Sequence, residues 1–111
     1  MLEIIPLTAL KDNYIWMLIN KINQCVAIVD PSEQEPVLEY IQSRNLNPIA
    51  ILITHHHWDH VGGITGLTKK YNIPVYTPEK EFVEGSTNPV SEGDIISLPE
   101  LDLEINILDV P

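Results

Sequence analysis

A chain of 111 residues with 44% hydrophobic content has room for one small domain and the apolar material to fold it. Its formal charge of −10, with only 6 lysines and arginines, argues against binding nucleic acid, whose phosphates demand basic side chains. No apolar run nears the roughly 20 residues that span a bilayer. Met1-Leu2-Glu3 opens no secretory signal. A cytoplasmic protein without nucleic-acid or membrane partners is therefore expected.

In chain order, Glu3 to Leu7 reads as a short strand and Tyr14 to Asn20 as a second. A polar turn at Lys21-Ile22-Asn23-Gln24 leads to a third, Cys25 to Val29, completing an antiparallel meander. The lone Cys25 cannot form an internal disulfide and reads as a small buried hydrophobe. Asp30-Pro31 breaks the pattern. Ser32 followed by Glu35 fits a capping box, with Pro36 in the first turn of a helix from about Glu33 to Arg44. Asn45 to Pro48 is a connector, and the apolar run Ile49 to Ile53 suits a strand buried on both faces. A second helix is expected from Gly62-Gly63 through about Tyr71, then a short strand at Val75-Tyr76. Glu79 to Asn88 is polar and loop-like, with room for one helical turn. Ile95 to Leu98 and Leu103 to Leu108 are the last strands, the latter with one wet face.

All 4 histidines fall in the segment Thr54-His55-His56-His57-Trp58-Asp59-His60, directly behind the apolar run. Imidazole and carboxylate are the common ligands of zinc and related divalent metals. If the chain leaves the strand extended, His55 and His57 point to one side and His56 to the other. Asp59 and His60 can then hold a second ion beside the first. A purification tag is the bland alternative, but the run is internal. Asp59 has a structural alternative, capping the helix that begins near Gly62.

The string Thr54-His55-His56-His57-Trp58-Asp59-His60-Val61-Gly62-Gly63 resembles the signature of the metallo-β-lactamase superfamily in its glyoxalase II (hydroxyacylglutathione hydrolase) version. Ile5-Pro6-Leu7 with Asp12-Asn13-Tyr14-Ile15-Trp16, and Ile28-Val29-Asp30-Pro31, resemble further parts of the same family. The resemblance implies an α+β fold, an αββα sandwich of which residues 1–111 supply roughly the N-terminal half, a mixed sheet with two helices. The family's next metal motif, Gly-His-Thr, its bridging aspartate and its glutathione-binding region have no counterpart before Pro111, so a truncated chain is expected.

What the resemblance implies for function is hydrolysis of the thioester S-D-lactoylglutathione to glutathione and D-lactate by a metal-activated hydroxide. His55 and His57 would bind one metal and Asp59 and His60 the other, with Asp59 also orienting the nucleophile. The metals would be zinc, with iron or manganese as alternatives. Asp30, at a strand end beside the site, is a candidate to orient a histidine, although an Asp-Pro turn explains it equally. Trp58 and Tyr14 are read as pocket-lining or packing aromatics, and Lys69-Lys70 as a solvated pair. With two candidate ligands per metal, this chain is expected to be inactive alone and to self-associate through exposed sheet surface. Other superfamily hydrolases, a persulfide dioxygenase and a non-catalytic metal-binding fragment are the competing readings.

Overall fold

The computed structural model describes residues 2–9, 13–54, 63–79 and 85–107. Strands β1 (Leu2–Ala9), β2 (Asn13–Asn20) and β3 (Cys25–Val29) form the expected antiparallel meander. Strands β4 (Asn47–Leu52), β5 (Val75–Pro78) and β6 (Asn88–Val90) extend it as a parallel array, and strand order follows chain order. Helix α1 (Gln34–Arg44) joins β3 to β4, and α2 (Ile64–Lys70) lies between β4 and β5. A separate hairpin follows, β7 (Ile95–Leu98) and β8 (Leu103–Asn106), linked by a 3-10 turn at Pro99–Leu101. No described helix is long and apolar enough to cross a membrane.

Strand alternation sends successive side chains to opposite faces, and this sheet buries both. Ile15, Met17, Val26, Ile28, Ile51 and Val75 face α1 and α2, meeting Val37, Ile41, Ile64 and Leu67 in one apolar cluster. Both helices lie on that side because successive parallel crossovers in one direction share a hand. Cys25, Ala27, Ala50 and Leu52 face the other way, onto Ile96, Leu98 and Leu101 of the β7–β8 hairpin. The small Ala27 and Ala50 let that hairpin lie close to the sheet. Cys25 is buried as expected, and the amide of Asn47 lies 3.8 Å from its sulfur.

The hairpin is also fastened by polar contacts. The side-chain amides of Asn20 and Asn23 both donate to the Glu100 carbonyl, at 3.1 and 2.8 Å. The same two side chains shape the β2–β3 turn, accepting from the Ile22 and Cys25 amides. Toward the β1–β2 end this face is open: Leu2, Ile4, Tyr14 and Trp16 are all exposed. They stand on one face of the hairpin, where Pro6 pairs with Trp16 and Thr8 with Tyr14.

Three expectations need correction. The capping box does not form: the residue preceding α1 is Glu33, no side chain caps it, and the buried Ser32 hydroxyl has no hydrogen-bond partner. Pro36 explains the shift. Starting at Ser32 would put Pro36 fourth in the helix, where an N–H must make the first helical bond, whereas starting one residue later makes it third, where no partner is needed. Next, Pro48 belongs to a strand rather than to a connector. The ladder steps from Val26↔Pro48 to Ala27↔Ala50, a bulge that accommodates a residue unable to donate. Finally, Asn88-Pro89-Val90 forms β6, a strand that begins at the last residue of the stretch expected to be loop-like and was not anticipated. Residues 80–84 of the polar stretch before it lie outside the described residues.

Candidate metal centre

The carboxyl ends of β3 and β4 are neighbours, since Val29 pairs with Leu52, and loops at such ends carry the working residues of parallel sheets. From Val29 the backbone turns at Asp30, which adopts a left-handed φ of 53° and donates its N–H to the Leu52 carbonyl at 2.9 Å. Asp30 is buried, and its carboxylate closes over the start of the histidine segment. One oxygen accepts the Thr54 N–H at 2.8 Å and the other the Thr54 hydroxyl at 2.6 Å. Two hydrogen bonds to one buried carboxylate fix both the position and the orientation of Thr54.

The far end of the segment is anchored to the same turn. The Gly63 N–H donates to the Pro31 carbonyl at 2.7 Å. Gly63 is packed so closely there that an added Cβ would lie 2.8 Å from that oxygen and 2.9 Å from the Glu33 carbonyl carbon. Only glycine fits such a backbone-to-backbone approach. The role of Gly63 was legible only as a generic allowance for close approach, and Thr54 was read without any role. A hydroxyl residue at the mouth of a ligand-rich loop, opposite a buried Asp-Pro turn, is the signal that could have found it.

His55, His57, Asp59 and His60, the sequence-derived ligands, lie outside the described residues, as do His56 and Trp58. Among the described residues no group of three or more His, Cys, Asp or Glu side chains could hold a metal ion. The metal chemistry therefore rests on that segment's donor set, three imidazoles and a carboxylate at positions 55–60 besides His56. Soft-to-borderline nitrogen donors with one oxygen suit a divalent transition metal. The described residues beside it fit that load, with a buried carboxylate at one end of the segment and a glycine cradle at the other. Tyr14 is exposed, its ring 6.0 Å from that of Trp16 and tilted 40°. Lys69 and Lys70 are exposed, as expected.

A family model described as the metallo-beta-lactamase superfamily matches residues 14–109. The chain belongs to that superfamily. Along its whole length it is 50% identical to hydroxyacylglutathione hydrolase of Nitrosomonas eutropha, but it spans only 43% of that relative. Among solved structures it is similar to the BLEG-1 B3 metallo-beta-lactamase, with a TM-score of 0.62 and 32% identity, covering 72% of this chain and 38% of that one. It is also similar to TTHA1623 in a di-iron-bound form, with a TM-score of 0.57 and 32% identity, covering 65% of this chain and 36% of that one. The α+β class and the metallo-β-lactamase fold expected from sequence are thus established, and membership implies a divalent metal without fixing which.

Proposed function

We propose that residues 1–111 supply the metal-binding half of a glyoxalase II, a thioester hydrolase acting on S-D-lactoylglutathione in the cytoplasm. The observation that carries this reading is the 50% identity to a hydroxyacylglutathione hydrolase, sustained over every residue of the chain. His55 and His57 hold one metal, and Asp59 and His60 hold the other. Zinc is the first choice, and the di-iron form of TTHA1623 keeps iron as an alternative. When bound, such a metal pair lowers the pKa of coordinated water toward about 7 and polarises the scissile carbonyl.

The chain's own residues have separate tasks in this reading. Asp59 orients the attacking water. Asp30 acts on Thr54 and thereby sets where His55 leaves the strand. In this role Asp30 supports the ligands through the backbone. The 111-residue polypeptide by itself is read as inert, because His55, His57, Asp59 and His60 provide two ligands per metal, where catalytic zinc takes three and a water.

The test is complementation. The chain is coexpressed with the part of the Nitrosomonas eutropha relative that follows the matched region, and thioester loss is followed by ultraviolet absorbance. Hydrolysis of S-D-lactoylglutathione that disappears in Asp59→Ala supports the reading. Reconstituted protein that leaves this thioester intact and instead hydrolyses a lactone when zinc-loaded, or consumes dioxygen with a persulfide when iron-loaded, overturns it.

A further inference from the structure

Both ends of the histidine segment are fastened to one four-residue turn. Thr54 is held by the Asp30 carboxylate, and Gly63 by the Pro31 carbonyl. Asp30 and Pro31 are adjacent, whereas Thr54 and Gly63 are separated by the whole of 55–62. The turn is itself immobilised. Asp30 and Pro31 are buried, and the Asp30 N–H is tied to Leu52 of β4. Immediately beyond it, α1 packs Val37 and Ile41 into the core.

We propose that Gly63 is a positioning residue for the metal ligands, closing the segment into a loop of set span before any metal arrives. The inference rests on the ligand reading above. The physical basis is loop closure. A free segment carrying four ligands must lose its end-to-end freedom when metal binds, and a segment already closed has lost it during folding. Glycine is required because the closing contact is backbone against backbone. The clearances of 2.8, 2.9 and 3.0 Å are all to main-chain atoms of Pro31 and Glu33, which cannot swing aside as a side chain can. Gly66 offers the contrast on the same helix. The atoms nearest a Cβ there belong to the side chain of Gln34, whose amide end can swing aside.

The experiment uses the full chain and zinc alone, competed against a chromogenic chelator. Gly63→Ala should weaken zinc binding by about tenfold or more, the range seen when residues supporting metal ligands are altered. Gly66→Ala should leave it unchanged, and thermal unfolding of the metal-free forms shows whether each variant folds. A second measurement needs no variant. In the metal-free chain the amides of Thr54 and Gly63 should be protected from hydrogen exchange as well as the β4 amide of Ile51, which donates to Pro74. Zinc affinity unchanged in Gly63→Ala, or a Gly63 amide exchanging like that of an unstructured peptide, overturns the proposal. Failure of the unaltered chain to bind zinc overturns the ligand reading itself, and the positioning role with it.

Discussion

The carboxylate of Asp30 accepts both hydrogen bonds that Thr54 can donate, from its backbone N–H at 2.8 Å and from its hydroxyl at 2.6 Å. A single buried side chain thus fixes the residue immediately before His55. The ends of β3 and β4 and the turn at Asp30 are thereby joined.

Removing that carboxylate should be costly twice over. Asp30→Ala removes the acceptor of two Thr54 hydrogen bonds, each contributing about 1 kcal/mol or more. It also places alanine at a left-handed φ of 53°, which costs about 1–2 kcal/mol more. Asp30→Asn keeps an acceptor and tolerates this backbone, so it should lose less than half as much. Urea unfolding of the two variants against the unaltered chain is the check, and equal losses would contradict the account.

Asn20 and Asn23 should govern the β7–β8 hairpin more than the main sheet. Each donates to the Glu100 carbonyl, and a neutral hydrogen bond contributes about 1 kcal/mol net. In Asn20→Ser/Asn23→Ser the amides of β7 and β8 should exchange roughly tenfold faster or more, while those of β4 hold their rates. Uniform acceleration across the chain would mean that the variants only lower global stability.

The open apolar end of the sheet should drive association. Leu2, Ile4, Tyr14 and Trp16 are exposed together, and contiguous surface of this kind marks an interaction face. Burial is worth about 25 cal/mol per Å², so a few hundred Å² amounts to several kcal/mol. Sedimentation velocity should show concentration-dependent dimers in the unaltered chain and fewer in Ile4→Glu/Trp16→Glu. A monomer at every concentration would refute this.

Zinc binding should depend on the histidines in a graded way. Calorimetry with a competing chelator should show His55→Ala/His57→Ala losing one site, with Asp59→Ala affecting the other. The 111-residue chain should hydrolyse S-D-lactoylglutathione at a negligible rate even when loaded with zinc. A rate near that of a full-length relative, abolished by Asp59→Ala, would show that four ligands suffice.

Most of the sheet was legible from alternation alone. Val26 and Ile28 go to one face and Cys25 and Ala27 to the other, and the doubly buried run around Ile51 reads as central strand. What escaped depends on phase and pairing rather than composition. Ser32 and Glu35 had the spacing of a capping box, but Pro36 shifts the helix start by one residue. Asn88-Pro89-Val90 pairs with β5 although three residues with a central proline carry no strand signal of their own. The candidate ligand segment stands out in the sequence because its histidines are crowded, and it lies outside the described residues. Asp30 was a candidate from the sequence but its partner Thr54 was not, since Asp30 meets Thr54, and Pro31 meets Gly63, only after β3 and β4 have paired.

Both outer strands of the six-stranded sheet carry a proline, Pro6 in β1 and Pro89 in β6. A residue without an N–H interrupts the row of donors that an added strand would need. The sheet is thereby closed to lateral growth at each margin, and copies meeting through Ile4 and Trp16 must stack face to face. Such stacking consumes the sticky surface in a single encounter. Clumps of this chain should accordingly stay small and fail to bind thioflavin T, lacking the endless ladder on which amyloid grows.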